Sequence, residues 1–317
     1  MSNIETTPAD TSRLFQEILA RQCDATEQSY IDTSTGENGR VLLGTTKVIK
    51  MPGFVQGAES LRCVLFESAI INTINMHDGQ PPLKVPSVIQ THVTSPPYYS
   101  SLTRVGEQVI GQTELRQFDT YRLQDYGTSI GSFVAWMEGA ITVDEYSDIY
   151  DRSGRPQIFD RTNFVRNSPE YFKDQPIPHS LARLLLDVRD ELTEREKDGD
   201  LVPTLVGHDD LWIGNVAFAN TRDGPKVEGV FDFGLTKPSS PERELRALAV
   251  LPDALETGIT AYESRSGRHL SRELIGFWAV AQIATNYAGM LKSKNYAGAE
   301  GKCKDLEVLL PGVDWKI

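Results

Sequence analysis

The sequence is poor in cysteine, in positive charge and in long apolar runs. Its three cysteines, Cys23, Cys63 and Cys303, are widely separated and odd in number, so they form no disulfide or zinc-site pattern and fit a reducing compartment. The N-terminus lacks the basic and apolar regions of a signal peptide, and no window approaches the apolar length of a transmembrane helix. These absences predict a cytoplasmic protein without a membrane partner.

Acidic residues outnumber basic ones. The 317 residues include 32 basic and 44 acidic side chains, which gives a formal net charge of −12. This balance argues against a nucleic-acid partner, because phosphate binding needs a basic face. An acidic surface is compatible with a cationic ligand, although it more commonly serves solubility. With 39% hydrophobic residues, the chain is long enough for a soluble globular protein of two lobes.

The most informative stretch covers residues 205–235. A polar turn containing His208, Asp210 and Asn215 is followed by two β-type runs that predict a hairpin, and a D-F-G sequence begins at Asp232. This order matches H-x-D-x-x-x-x-N followed by D-F-G, the catalytic loop and metal-binding turn of the kinase fold. By position, Asp210 faces an acceptor hydroxyl, and Asn215 and Asp232 hold Mg²⁺ on the nucleotide phosphates.

Other interpretations of the same residues stay open. A metal-dependent phosphohydrolase would use His208, Asp210 and Asp232 as metal ligands. A purely structural interpretation makes the stretch an aspartate-rich turn before a strand. In the kinase interpretation, His208 braces the loop by hydrogen bonding, with a catalytic acid or base role as its alternative.

The run from Gly207 to Asn215, G-H-D-D-L-W-I-G-N, resembles the H-G-D-L-x-x-x-N loop of the aminoglycoside phosphotransferase-like small-molecule kinases. Asp209 departs from that pattern, in which glycine is usual, and from the H-R-D of protein kinases. An extra acidic group there can perturb the protonation of Asp210 or attract a cationic substrate. The absence of an A-P-E segment argues against a protein kinase.

The resemblance implies an α+β, two-lobe, protein-kinase-like fold. Residues 1–105 would form a nucleotide-binding lobe with a small antiparallel sheet, and residues 106–317 a mostly helical catalytic and substrate-binding lobe. It also implies ATP or GTP with Mg²⁺ as cofactors. The acceptor would be a hydroxyl of a small molecule, either an antibiotic of the aminoglycoside type, which would make the protein a resistance enzyme, or a metabolite.

The candidate for the phosphate-contacting lysine lies in a strand predicted for residues 46–51. Alternation places Lys50 and Lys47 on opposite faces, and Lys50 fits the V-x-K-x-P of the phosphotransferase family, with Lys47 as the alternative. Residues 58–74 carry the apolar stripe of a helix, with Glu67 beside it. The resemblance implies that Glu67 pairs with the strand lysine.

Other N-terminal predictions depend more on the resemblance. A helix is predicted for residues 11–23, and a strand for residues 40–43 follows a turn at residues 34–39. That turn does not match G-x-G-x-x-G, so it is either a phosphate contact or an ordinary hairpin turn. The resemblance implies that adenine hydrogen-bonds the backbone near Thr103 and Val105. A poor glycine loop and Asp209 leave a catalytically silent nucleotide-binding protein as the main alternative.

Periodicity predicts the remaining elements. Short strands are expected at residues 85–89, 98–105 and 109–110. Residues 144–175 have weak periodicity and are interpreted as part of the acceptor site or as a surface insertion. Glu244 is assigned a structural role at a helix start. Helices are predicted at residues 115–123, 129–137, 180–194, 242–255, 259–264, 271–290 and 298–310.

Overall fold

The computed structural model describes residues 31–32, 39–52, 58–95, 98–155, 161–313 and 315. The helix predicted for residues 11–23 and the turn predicted for residues 34–39 lie outside the described residues. The described chain is a mixed α+β structure in which a small antiparallel sheet and one helix precede a mostly helical part. The predicted fold class is confirmed.

Five strands form the N-terminal sheet. They are Ile31–Asp32 (β1), Gly39–Leu43 (β2), Lys47–Pro52 (β3), Val88–His92 (β4) and Tyr99–Thr103 (β5). Their order is β1-β2-β3-β5-β4, and every neighbouring pair is antiparallel. The predicted strands at residues 40–43 and 46–51 are confirmed. The strand β3 lies at the centre of the sheet, so hydrogen bonds from both neighbours fix the position of its side chains.

The helix α1, Ala58–Met76, confirms the predicted helix at residues 58–74. Its buried face includes Phe66, Ile70 and Ile74. The Phe66 ring meets Tyr146 of the helical part edge-on, with ring centroids 6.0 Å apart. This contact packs α1, and with it Glu67, directly against the second part of the molecule.

Two strand predictions need correction. The strand predicted for residues 85–89 begins only at Val88, because the Asn75 amide donates a hydrogen bond to the Pro86 carbonyl and holds that residue outside the sheet. The strand predicted for residues 109–110 is wrong. Gln108 makes a single bridge to Phe218, after which the chain turns into a short helix.

The second part contains nine helices within the described residues. They are Gln112–Leu115 (α2), Thr120–Ala140 (α3), Val143–Ser153 (α4), Arg161–Phe172 (α5), His179–Asp198 (α6), Pro241–Glu244 (α7), Pro252–Ser266 (α8), Arg272–Lys292 (α9) and Tyr296–Leu309 (α10).

The predicted helices lie at the expected positions, but their number differs from the prediction. The two helices predicted at residues 115–123 and 129–137 correspond mainly to the single helix α3, which starts where the Asp119 side chain accepts a hydrogen bond from the Arg122 amide. The weakly periodic residues 144–175 include two helices, α4 and α5. The first is set by a Thr142/Glu145 capping box that the periodicity did not reveal.

The helices α3 and α8 cross at very short range. A methyl group at Gly127 or Gly131 of α3 would overlap backbone oxygens of α8, those of Ala254 and Gly258 respectively. Gly258 itself faces the Gly127 backbone. Glycine is therefore required by close approach of two backbones at this crossing.

Four short strands lie within residues 205–239, the stretch that contains the catalytic-loop and D-F-G motifs. They are Leu205–Gly207 (β6), Val216–Thr221 (β7), Gly224–Val230 (β8) and Lys237–Ser239 (β9). The strands β7 and β8 form the predicted hairpin, and β6 pairs with β9. Single bridges join this hairpin to Lys84 and Gln108, so it contacts the chain on both sides of the sheet-to-helix connection.

One helix qualifies by length and composition as a membrane span, contrary to the expectation that no segment would. This helix is α9, and 61% of the qualifying window is buried inside the structure. A mostly buried core helix meets the same criteria, so the finding is weak evidence for a membrane. Cys63 and Cys303 are free thiols. The cytoplasmic location stays a prediction.

Candidate active site

The strand β6 leads into the loop that carries His208. The buried ring is fixed by backbone at both nitrogens: Nε2 lies 2.9 Å from the Phe231 carbonyl oxygen, and Nδ1 accepts a hydrogen bond from the Asp210 amide. This pattern requires the proton on Nε2. His208 therefore has no ring nitrogen facing a substrate or a metal, and its geometry supports the bracing role.

Asp210 lines a cleft, and the buried Asn215, which is not part of the cleft lining, is held against it. The Asn215 Nδ2 donates to the Asp210 carboxylate at 2.9 Å and to the Asp210 carbonyl at 2.8 Å. A 3₁₀ turn, Ile213–Asn215, brings the amide back to the loop. Because both bonds use Nδ2, the amide oxygen of Asn215 points away from Asp210, and the Asp210 carboxylate has a fixed orientation on the cleft wall.

Asp232 stands at the end of the hairpin in a left-handed backbone conformation, with φ of 66°. Aspartate tolerates this conformation better than most residues do. Its Oδ1 lies 2.5 Å from the Lys50 ammonium, which also lies 2.8 Å from the Glu67 carboxylate. Three residues from three distant parts of the chain thus meet at one point.

Burial and charge oppose each other in this cluster. Burial alone would lower the pKa of Lys50, but Asp232 and Glu67 outweigh it and raise that pKa above its ordinary value. Burial alone would raise the pKa of Asp232, and the Lys50 ammonium outweighs it, so the pKa of Asp232 is lowered. Both groups are therefore charged at neutral pH.

Alternation along β3 decides between the two lysines. Ile49 and Met51 are buried on one face of the strand, whereas Lys50 and Pro52 line the cleft on the other. Lys47 is not part of the cleft lining. The structure therefore brings Lys50, rather than Lys47, to the D-F-G turn.

The cleft has a volume of about 730 Å³ and is lined by both parts of the chain. Lys50, Glu67, Asp210 and Asp232 lie on its walls, and α9 and α10 contribute others. Several polar lining residues were not predicted from the sequence, because they belong to no local motif. These are Gln112, Arg155, Arg246, Gln282, Asn286, Lys302 and Asp305.

Thr103 and Val105 do not line this cleft. The Thr103 amide donates to the Ser87 carbonyl at 2.9 Å, and the next amide, of Arg104, donates to the Thr46 carbonyl at 2.7 Å. The Thr103 amide is therefore engaged within the sheet, and an adenine contact with the Thr103 backbone stays a prediction. An adenine contact at Val105 stays a prediction.

Asp209 does not face the cleft, which corrects the expected influence on substrate charge. Its backbone is left-handed, with φ of 59°, and its buried carboxylate pairs with Lys237 at 3.0 Å and with Arg243 at 2.8 Å. Its amide donates to the Glu244 carboxylate at 3.0 Å. The left-handed conformation favours glycine, and here the cations of Lys237 and of the buried Arg243 stabilise an aspartate in its place.

Glu244 has the geometry of a structural residue. Besides the Asp209 amide, its carboxylate accepts a hydrogen bond from the Ser239 hydroxyl at 2.6 Å. A side chain at Gly207 would overlap this carboxylate, so glycine is needed there. Glu244 therefore holds the catalytic loop in place through Asp209, on the side away from the cleft.

The donor set suits magnesium with a phosphate ligand. Asn215 would supply its amide oxygen and Asp232 its second carboxylate oxygen, both of the hard type that Mg²⁺ prefers. In the described part of the chain, no three His, Cys, Asp or Glu side chains form a group that could hold a metal by themselves. The set therefore fits an ion whose remaining ligands come from phosphate and water.

The sequence matches the profile of the Phosphotransferase enzyme family over residues 37–273. No sequence among the curated proteins matches the chain.

Several solved structures share the fold. A complex of APH(2″)-IIia with GDP and kanamycin has a TM-score of 0.70 and 16% identity, covering 94% of this chain and 98% of that chain. The GDP complex of wild-type aminoglycoside 2′-phosphotransferase-IIIa has a TM-score of 0.66 and 16% identity, with 94% and 96% covered. Macrolide 2′-phosphotransferase MphH from Brachybacterium faecium has a TM-score of 0.62 and 16% identity, with 95% and 99% covered.

Proposed function

The chain belongs to the phosphotransferase enzyme family, and we propose that it transfers the γ-phosphoryl group of ATP or GTP to a hydroxyl of a small molecule. The observation that carries this proposal is the convergence of Lys50, Glu67 and Asp232 in the cleft whose wall also holds Asp210. Phosphoryl transfer depends mainly on positioning and charge, and this cluster supplies both.

Asp210 is the proposed base. Its carboxylate is oriented by Asn215 and opens on the cleft, where an acceptor hydroxyl can donate its proton as the new bond to phosphorus forms. Because His208 is engaged with backbone at both ring nitrogens, we assign it to bracing this loop. The same contacts argue against a phosphohydrolase that uses His208 as a metal ligand.

Lys50 is the proposed phosphate contact. Glu67 holds its ammonium toward the D-F-G turn, and its raised pKa keeps it cationic at neutral pH. Asn215 and Asp232 are proposed to hold magnesium. When bound with the nucleotide, this ion supplies positive charge that offsets the charge developing on the phosphates.

The cleft lining bears on the acceptor. The described residues that line it include four acidic and four basic side chains. The lining therefore has no excess of negative charge that would favour a cationic acceptor. Asp305, on the helical wall, is paired with Arg116 and, at 3.2 Å, with Lys302. On the same wall, the apolar Ala279, Ile283 and Met290 alternate with the polar Gln282, Thr285 and Asn286. This mixed lining suits an acceptor that presents apolar surface together with hydroxyl groups, so macrolides and aminoglycosides both belong in an acceptor screen.

The apolar residues that line the cleft on this side include Ala247, Val250, Leu251, Ala279, Ile283 and Met290.

An acceptor screen tests the proposal. Purified protein with Mg²⁺ and either ATP or GTP is given a panel of macrolides, aminoglycosides and simple sugars, and diphosphate release is compared with a sample lacking acceptor. Similar structures contain GDP or ATP, so both nucleotides belong in the screen. For the best acceptor, Asp210→Asn is expected to lower kcat by about 10²- to 10⁴-fold, because the base is lost.

The matched control is Asp187→Asn, the same change at an exposed position of α6. It should leave kcat unchanged, and Asp210→Asn should still bind nucleotide. Near-normal turnover in Asp210→Asn would remove the assigned base. Nucleotide binding without transfer to any acceptor would instead favour the catalytically silent alternative.

A further inference from the structure

The helical wall of the active-site cleft carries a charged cluster to which the proposed phosphoryl transfer assigns no role. The helices α9 and α10 are joined by only three residues, 293–295, so they form a hairpin and pack side by side. Lys302 and Asp305 of α10 line the cleft, and so does Gln112 of α2. The cluster therefore borders the space that we propose for the acceptor.

The buried carboxylate of Asp305 is the centre of this cluster. Its Oδ1 accepts hydrogen bonds from the Arg116 guanidinium and, at 3.0 Å, from the Gln112 amide. Its Oδ2 accepts a hydrogen bond from the Lys302 ammonium at 3.2 Å. Because three donors already engage both oxygens, Asp305 holds the residues around it and offers little to a cationic ligand.

The cluster has one positive charge in excess. Lys302 and Arg116 both pair with the single carboxylate of Asp305, and neither has another ion-pair partner within the described residues. The Lys302 ammonium has three hydrogens, and Asp305 accepts from one of its directions only. The Lys302 side chain is 21% exposed, so its remaining donors can meet a ligand in the cleft.

A neutral donor lies on the neighbouring helix. Asn286 of α9 lines the same cleft, and its Oδ1 accepts a hydrogen bond from the Gln282 amide at 2.9 Å, which leaves its Nδ2 to donate. A carboxylate on a ligand can accept from an amide and an ammonium together, and charge-assisted hydrogen bonds are the stronger kind. An ammonium on a ligand would instead meet the like charge of Lys302.

We propose that Lys302 is a specificity-determining residue that binds a carboxylate group of the acceptor, with Asn286 as a second donor. This inference rests on the proposed function, because it takes the cleft as the acceptor site. It narrows the acceptor to a hydroxyl compound that also carries an acid group. Asp305 holds the ammonium in place before the ligand binds, which lowers the ordering cost of binding.

Three matched probes test the site. They are phenyl glucuronide, phenyl glucoside and the aminodeoxy analogue of the glucoside, which carry a carboxylate, a hydroxyl or an ammonium group at the same position. Ligand-detected NMR measures their dissociation constants in the presence of Mg·ADP, so that no turnover is needed. The wild type is expected to bind the glucuronide about tenfold more tightly than the glucoside, because the bond to Lys302 becomes charge-assisted. The ammonium probe should bind most weakly.

Lys302→Met removes the ammonium and leaves Arg116 to pair with Asp305, so the fold should persist. This variant is expected to bind the three probes equally. The matched control is Lys304→Met on the same helix, because the Lys304 side chain is 58% exposed, pairs with Glu300 and lies outside the cleft lining. It should keep the preference of the wild type.

The inference is overturned if the wild type binds the three probes equally or binds none of them, or if Lys302→Met keeps the preference for the glucuronide. The proposed function has a separate readout, which is diphosphate release. A preference for the glucuronide without transfer to any acceptor would overturn the proposed function but not the carboxylate site. Transfer to macrolides or aminoglycosides, with equal binding of the three probes, would do the reverse.

Discussion

The ammonium of Lys50 lies between the carboxylates of Glu67 and Asp232, and it connects the sheet, α1 and the D-F-G turn. The contact with Asp232 joins residues 182 positions apart in the chain, so the lysine contributes to the stability of the site as well as to its proposed chemistry. Removing it would leave two carboxylates without their shared counter-ion, one of them well buried.

Lys50→Met is therefore expected to lower the free energy of unfolding by about 2 kcal/mol at pH 7. This is less than for a fully buried pair, because the Asp232 side chain is 39% exposed and water screens it. The same variant should lose most phosphoryl transfer. Lys47→Met, on the other face of the same strand, is the control, and it should retain activity.

The stability difference between wild type and Lys50→Met should also depend on pH. The pKa of Asp232 is lowered in the folded protein, so its contribution is fully present above the ordinary carboxyl pKa of about 3.9 and is lost as pH falls through the lower folded value. Urea unfolding at pH 7, 5 and 3 should show a constant difference at the first two values and a smaller one at pH 3. A difference that grows toward low pH would contradict this assignment.

Among single residues, the sequence predicted those that lie in local motifs. His208, Asp210, Asn215 and Asp232 could be selected as candidates because their spacing along the chain is itself the signal. The same reasoning placed the Asp209 carboxylate wrongly beside the substrate. Its direction depends on a positive φ and on cations at 237 and 243, and no local pattern encodes such a contact.

Among the elements, the crossing of α3 and α8 depends most directly on single residues. Gly131→Ala would place a methyl group onto the Gly258 carbonyl, forcing the helices apart. The expected loss is about 1–3 kcal/mol in the free energy of unfolding, even though alanine is the better helix former. Denaturant unfolding followed by circular dichroism measures it.

The control for this prediction is Gly289→Ala in α9. A methyl group at Gly289 meets no atom within 4 Å, so only the helix preference remains and stability should rise by about 0.5–1 kcal/mol. If the free energy of unfolding falls in Gly131→Ala and rises in Gly289→Ala, then packing, and not helix propensity, explains why glycine is needed at position 131. A higher free energy of unfolding in both variants would contradict the close crossing of α3 and α8.

Periodicity predicted elements better than it predicted their ends. The helix α6 and the hairpin of β7 and β8 have strong patterns and are confirmed. The helices α4 and α5 were missed because both are short and rich in polar and charged residues, although Tyr146 and Ile149 of α4 are buried at helical spacing. The break between α7 and α8 follows from Pro252, which begins a new helix rather than extending the predicted one.

For the whole molecule, the two-part architecture followed from the order of motifs, but the contacts between the parts did not. The division at residue 105 stays a prediction. Phe66 packs on Tyr146, and the hairpin of β7 and β8 forms bridges to Lys84 and Gln108. These contacts bring the lysine side and the catalytic-loop side of the cleft together, and a ligand that spans them should stabilise both parts at once.

This coupling predicts how nucleotide changes thermal unfolding. With Mg·ADP at about 100 times its dissociation constant, the wild type should gain about 2.7 kcal/mol, a rise in Tm of roughly 5 °C. Asp232→Ala should lose most of this gain and its dependence on Mg²⁺, because one of the two proposed metal ligands is removed. Asp210→Asn should keep the gain, because that carboxylate faces the acceptor. Equal Tm shifts in all three proteins, measured by differential scanning calorimetry, would place the nucleotide away from Asp232 and contradict the assigned site.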